Sequence, residues 1–198
     1  MTLNRVLLRL VNKCYLVALL GTALFYVSNG NAQNSKWKIQ AGLELGLPTG
    51  NFSKVYQLGK GMLIKGLLSV KSGDQFTFQT SYSDFKIKND VIDPRYSSDY
   101  TIVPVLFGYR RYIQKFYSET QIGTGIYTIK VSGGGQSLSK SETNFTWAQT
   151  FGFNFAHFDW FAKYQQGNLK NAGVEKLTMI GVGIVYQLSF SQNKRAVL

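Results

Sequence analysis

The chain has 198 residues, 44% hydrophobic, 15% aromatic and 16% charged, with 20 glycines against 3 prolines, proportions that exclude a disordered chain and fit one domain. One cysteine and one histidine exclude a disulfide scaffold, a cysteine-rich zinc site and a metal centre built on paired histidines. The formal charge of +12 raises nucleic acid as a partner, but the Lys and Arg residues are scattered, with no run of five, so a basic solvated surface and no nucleic-acid contact are expected.

Arg5, Arg9 and Lys13 account for three of the positive charges and precede an apolar stretch of 13 residues, Tyr15 to Val27, followed by Ser28-Asn-Gly-Asn-Ala32. A charged start, an apolar middle and small residues at positions 30 and 32 are the three parts of a secretory signal peptide, so residues 1–32 are read as one, cleaved after Ala32. A transmembrane helix would need about 20 apolar residues. Cys14 precedes the apolar core, which argues against lipoprotein processing and leaves the mature chain, 33–198, without cysteine.

From residue 36 onward the dominant signal has period two, the mark of strands with chemically different faces. In the first strand, 36–47, Trp37, Ile39, Ala41, Leu43, Leu45 and Leu47 share one face, and Lys36, Lys38, Gln40, Gly42, Glu44 and Gly46 the other. Six further strands are expected near 58–70, 75–85, 101–113, 116–130, 144–155 and 158–166. The last places Ile180, Val182, Ile184, Tyr186, Leu188 and Phe190 on one face, opposite Gly181, Gly183, Gln187 and Ser189. The count is eight, with no helix in the mature chain.

Connections after the second, fourth and sixth strands are tight: Lys71 to Asp74, Ile113 to Lys115, and Ala156-His157. Those after the first, third, fifth and seventh are long and polar, spanning 48–57, 84–100, 132–143 and 166–176. Short and long connections in alternation are expected of an antiparallel up-and-down membrane β-barrel with short periplasmic turns and long external loops.

Such a barrel can also be a secreted carrier that turns its apolar face inward around an apolar ligand. That soluble form needs a charged exterior, whereas the polar faces here are mostly Gly, Gln, Ser, Thr and Asn. The mid-strand charges Glu44, Lys65, Arg110, Glu119 and Lys163 carry both signs and are expected to pair across a narrow lumen. Aromatic residues at strand ends, with Trp37, Phe116, Phe155, Phe158, Trp160 and Phe190 on the periplasmic side and Trp147 and Tyr127 on the external side, suggest interfacial girdles.

Three segments carry a family likeness: Leu43 to Phe52 leading to Tyr56 and Gly59-Lys-Gly61, Ile102 to Tyr112, and Phe116 to Gly125. Through them the chain resembles the outer-membrane β-barrel proteins of Gram-negative bacteria, most closely the Bacteroidota-type barrel domain whose members include PorT-like proteins. The resemblance implies residence in the cell outer membrane and, within the PorT-like group, an accessory role in a protein export or surface-assembly complex. Gly183, Tyr186, Leu188 and Phe190 look like the C-terminal strand signal read by the barrel assembly machinery, although Ser191 to Leu198 follow the terminal aromatic.

Chemistry is sparse. Nucleophilic hydrolysis needs a serine with a histidine base in reach, and the only histidine, His157, falls in a periplasmic two-residue turn, the wrong side for an enzyme acting on surface lipid A. Glu44 and Glu119 are better explained by lumenal pairing than as a catalytic carboxylate pair, and Ser132-Gly-Gly-Gly-Gln136 has the glycines of a phosphate loop but no following Gly-Lys-Ser/Thr. No enzyme, cofactor or metal site is expected, and an eight-stranded lumen is too narrow for a porin-like passive channel. The expectation is an integral outer-membrane protein acting through its external loops. There Lys54, Lys60, Lys86, Lys88, Arg95, Lys140, Lys170 and Lys176 can meet glycolipid phosphates, and Val91, Ile92, Tyr96 and Tyr100 can meet a protein partner or pack on the barrel mouth.

Overall fold

The computed structural model describes residues 37–70, 74–91, 95–168 and 176–188. The predicted signal peptide, 1–32, lies outside these residues, as do Phe190 and most of the Lys71 to Asp74 turn. Eight strands, β1 (Trp37–Thr49), β2 (Gly59–Ser69), β3 (Gln75–Lys86), β4 (Tyr96–Ile113), β5 (Phe116–Gly133), β6 (Gln136–Phe155), β7 (Phe158–Asn168) and β8 (Lys176–Leu188), follow one another around a closed antiparallel barrel. β1 pairs with β8 from Ile39↔Leu188 to Thr49↔Thr178, which removes both sheet edges from the barrel wall.

The pairing fixes the geometry. Hydrogen-bonded neighbours run from Trp37 through Leu68, Phe76, Tyr109, Thr120, Gln149, Tyr164 and Ile180 and return to β1 at Leu47, ten residues past the start. With about 3.3 Å per residue and about 4.8 Å between strands, this stagger tilts the strands by roughly 40° and gives a radius of about 8 Å. The row climbs about 25 Å along the axis in one circuit, the height of an outer-membrane apolar band.

Period two then decides orientation. Leu43, Leu45, Met62, Ile64, Phe76, Phe78, Phe107, Ile122 and Phe151 all face outward and are exposed. Gln40, Glu44, Lys65, Thr77, Gln79, Arg110, Glu119, Gln121, Lys163 and Gln165 face inward and are buried. The carrier alternative required the opposite arrangement, and this structure excludes it. Arg110 and Arg111, adjacent in sequence, separate accordingly: the first is inside and the second outside.

Three expectations are corrected. Segment 132–143 is not a loop: β5 and β6 continue as a ladder to Gly133↔Gln136, closed by Gly134 and Gly135 at φ +57° and +77°. Two positive φ values in a two-residue turn are what glycine permits and what a right-twisted hairpin requires. Period-two reading missed this ladder because above the membrane both faces are wet and carry Ser, Thr, Lys and Gln. Likewise β4 starts at Tyr96, well before residue 101. Finally, a one-turn helix, α1 (Phe52–Val55), lies between β1 and β2 where no helix was expected.

Candidate functional site

Inward parity on seven strands builds the centre of the lumen. Glu119 of β5 accepts hydrogen bonds from Lys65 Nζ of β2 at 2.8 and 3.0 Å, from Thr77 Oγ1 of β3 at 2.8 Å and from Arg110 Nε of β4 at 2.9 Å. Arg110 Nη2 also lies 2.8 Å from Glu119 Oε2. On its other side Arg110 Nη1 donates to Asp159 Oδ2 of β7 at 2.8 Å and to the Tyr112 hydroxyl at 3.1 Å. Asp159 in turn accepts from Gln40 Nε2 of β1 and from Asn154 Nδ2 of β6. The Arg110 guanidinium sits 3.9 Å from the Tyr117 ring centroid, a cation–π contact within a closed site.

A second pair, Lys163 Nζ to Glu44 Oε2 at 2.8 Å, joins β7 to β1. The backbone at Gly181 makes room for it, since a Cβ there would stand 2.5 Å from Glu44 Oε1. The two clusters hold three carboxylates and three cations, all under 5% exposed, so the lumen centre is electrically balanced. Buried charge is tolerated only under such pairing.

All five charges expected in the lumen are therefore inside, arranged as two clusters and not one. Asp159 was missed. It lies one residue after the start of β7 and reads as turn-flanking, yet it shares a face with Phe161, Lys163 and Gln165, and that parity was the available signal.

Above the charges, the external mouth is sealed by apolar packing. Phe52 of α1 is buried with its ring centroid 5.2 Å from Phe85, 5.3 Å from Tyr100 and 4.7 Å from Tyr56. Ile102, Tyr127, Leu177 and Met179 complete the cluster. Burial raises the Tyr56 hydroxyl above its ordinary pKa, opposed by a hydrogen bond with Ser98. Tyr127, expected in the external girdle, points inward and bonds Thr146 at 2.6 Å. Tyr100, expected in a loop, belongs to the same seal. Both sit at inward positions of strands that run further than alternation indicated. Tyr96 and Val91 remain exposed, and Ile92 lies outside the described residues.

Toward the periplasm the lumen opens into a polar vestibule of about 360 Å³ lined by Lys38, Ser69, Gln75, Tyr112, Asn154 and Gln187. Among the described residues the lumen is thus filled by apolar side chains on its external side and holds a polar cavity on its periplasmic side. At the same end Trp37, Phe116, Phe155, Phe158 and Trp160 are exposed outward as expected of a girdle, while Trp147 packs beside Tyr164 near the other. His157 occupies the β6–β7 turn with its ring 6.0 Å from Tyr186. Among the described residues no three His, Cys, Asp or Glu side chains converge as metal ligands would. Of the C-terminal strand signal, Tyr186 and Leu188 face outward from β8 and Gly183 faces the lumen beside Phe161.

No family model matches the chain, and no curated protein matches it in sequence. Solved structures do match in fold. Ail, the attachment invasion locus protein of Yersinia pestis, superposes with a TM-score of 0.56 at 19% identity, covering 77% of this chain and 97% of Ail. Its complex with the heparin analogue sucrose octasulfate gives 0.59 at 18% identity, with coverages of 77% and 97%. Neisserial surface protein A gives 0.56 at 11% identity, covering 79% of this chain and 98% of that one. At such identities the likeness establishes the fold. An apolar belt outside, a packed polar lumen inside and eight closed antiparallel strands make this an integral barrel of the outer-membrane type.

Proposed function

We propose that the protein is exported by its N-terminal signal segment and serves a non-enzymatic interaction role at the cell surface. The contact is the sheet that β4, β5 and β6 extend beyond the barrel. The observation behind this reading is the pairing. β4 follows β5 up to Tyr96↔Gly133 and β5 follows β6 up to Gly133↔Gln136, but β7 meets β6 only from Thr146 downward. Among the described residues, the main-chain ladder of Gln136 to Phe145 therefore runs on one side only. At about 2.5 Å of height per residue this edge reaches some 23 Å beyond the apolar band. An open edge adds an extended polypeptide strand through main-chain hydrogen bonds, and Lys140 with the flanking serines keeps it from self-aggregation.

Lys86, Lys130 and Lys176 point outward just above the belt, where they can pair with glycolipid phosphates and hold the sheet at the surface. The PorT-like resemblance supports a finer version, in which the strand donor is a subunit of an export or surface-assembly complex. The test is a photo-reactive residue at Leu138, which is fully outside the barrel wall, on intact cells. Proline placed singly at Lys140 and Ser141 removes successive main-chain donors, one of which faces the open side. A protein adduct lost with one of these prolines and kept in Lys140→Ala supports strand addition. An adduct that survives both prolines, or none at all, overturns it.

A further inference from the structure

Beside single threonines such as Thr80 and Thr124, the outward face of the barrel carries a cluster of polar side chains at mid-height. Along the belt the lipid-facing positions of β1, β2, β7 and β8 are apolar or glycine through the middle, but β5 and β6 present Ser118, Thr120 and Gln149 side by side. Thr120 Oγ1 donates to Gln149 Oε1 at 2.7 Å, and Gln149 Nε2 donates to Ser118 Oγ at 2.9 Å. Thr120 and Gln149 are the fourth and fifth steps of the eight-step row that climbs from Trp37 to Leu47. They lie about 12 and 16 Å up an apolar band of about 25 Å, near the bilayer midplane.

The internal bonds leave one N–H of the Gln149 amide and a lone pair on its oxygen facing hydrocarbon. An unsatisfied polar group in lipid costs free energy, and contact with protein relieves it. The rim of the patch, Phe107, Phe116, Ile122 and Phe151, is apolar and exposed, which suits a packed border around a polar centre.

We propose that this patch is a homodimer interface in the plane of the membrane, with the Gln149 amides of two copies bonded across the two-fold axis. The argument for a second copy is geometric. Assembly inserts every copy in the same direction, so any two-fold axis relating neighbours runs along the membrane normal, and each residue meets its own counterpart at its own depth. An amide and two hydroxyls, each donor and acceptor, are self-complementary under that operation. The proposal needs only membrane insertion and is independent of what the external sheet binds.

The experiment uses the full chain with Cys14→Ser. Gln149→Cys is oxidised in outer-membrane vesicles, with Leu43→Cys on the opposite strand, β1, at similar depth as the control. A disulfide-linked dimer from Gln149→Cys and none from Leu43→Cys is expected. In lipid vesicles, energy transfer on dilution should show Gln149→Leu weakening self-association by about three- to fifteen-fold. Heat-dependent gel mobility confirms that each variant is a closed barrel, and Thr120→Val repeats the measurement should Gln149→Leu not fold. No self-linked product, equal products from both cysteines, a link to a different protein, or unchanged association in the polar-to-apolar variant overturns the proposal.

Discussion

Replacing Glu119 with Gln is the sharpest probe of the lumenal charges, because it changes one charge and almost no volume. The Glu119 carboxylate receives two Lys65 contacts, one from Thr77 and a two-nitrogen approach from Arg110. Without its charge the balanced lumen carries a net +1. Arg110 keeps Asp159, but Lys65, 4% exposed, loses the one carboxylate to which it is hydrogen-bonded. Leaving a buried charge without its partner costs about 3–5 kcal/mol, whereas replacing both members of a pair by neutral groups of similar volume is often close to neutral. The double variant Lys65→Met/Glu119→Gln should therefore recover most of the loss, with a coupling energy of roughly 2 kcal/mol or more. Urea unfolding in phospholipid vesicles, followed by the fluorescence of Trp37, Trp147 and Trp160, measures Glu119→Gln, Lys65→Met and the double variant. A cost below about 1 kcal/mol for Glu119→Gln, or a double variant as unstable as the sum of the singles, would refute the account.

Three further outcomes follow from other parts of the structure. Leu43→Arg, on the lipid face near mid-height, should cost about 2–4 kcal/mol in vesicle unfolding, while Lys60→Arg near the outer rim stays within about 0.5 kcal/mol; the reverse order would mean that the belt is misplaced. Ala156 holds φ +57° at the first position of the β6–β7 turn, so Ala156→Gly should raise stability by about 1 kcal/mol in the same assay, and a loss would show that the conformation is unstrained. The raised pKa of Tyr56 means that its neutral form is favoured in the folded mouth. Its contribution is complete below pH 10, the unfolded value, and declines as pH rises through the folded one. The protection of the amides from Phe52 to Tyr56, measured against an unstructured peptide at the same pH, should fall above pH 10, and Tyr56→Phe should remove that fall.

Eight strands and the direction of their faces were legible in the sequence because a strand between lipid and a polar lumen must alternate strictly, and Leu43, Glu44 and Leu45 do. The same alternation put Glu44, Lys65, Arg110, Glu119 and Lys163 inside. It could not say which carboxylate meets which cation, since that depends on a stagger of ten residues that brings β2, β4, β5 and β7 to common heights. Parity puts Asp159 inside, and that stagger brings it to Arg110. Where the chain leaves the membrane the pattern loses its physical cause, so the β5–β6 ladder above Phe145 had no periodic signature, whereas Tyr127 shares the parity of Glu119 and Tyr100 that of Arg110, a signal that placing them in a girdle and a loop passed over. The one-turn helix at Phe52 is likewise tertiary: four residues cannot hold a helix by propensity, and it exists because Phe52 packs against Phe85 and Tyr100 at the barrel mouth. Local pattern reports the solvent on each side of a strand, whereas pairing across strands far apart in sequence is decided only when the barrel closes.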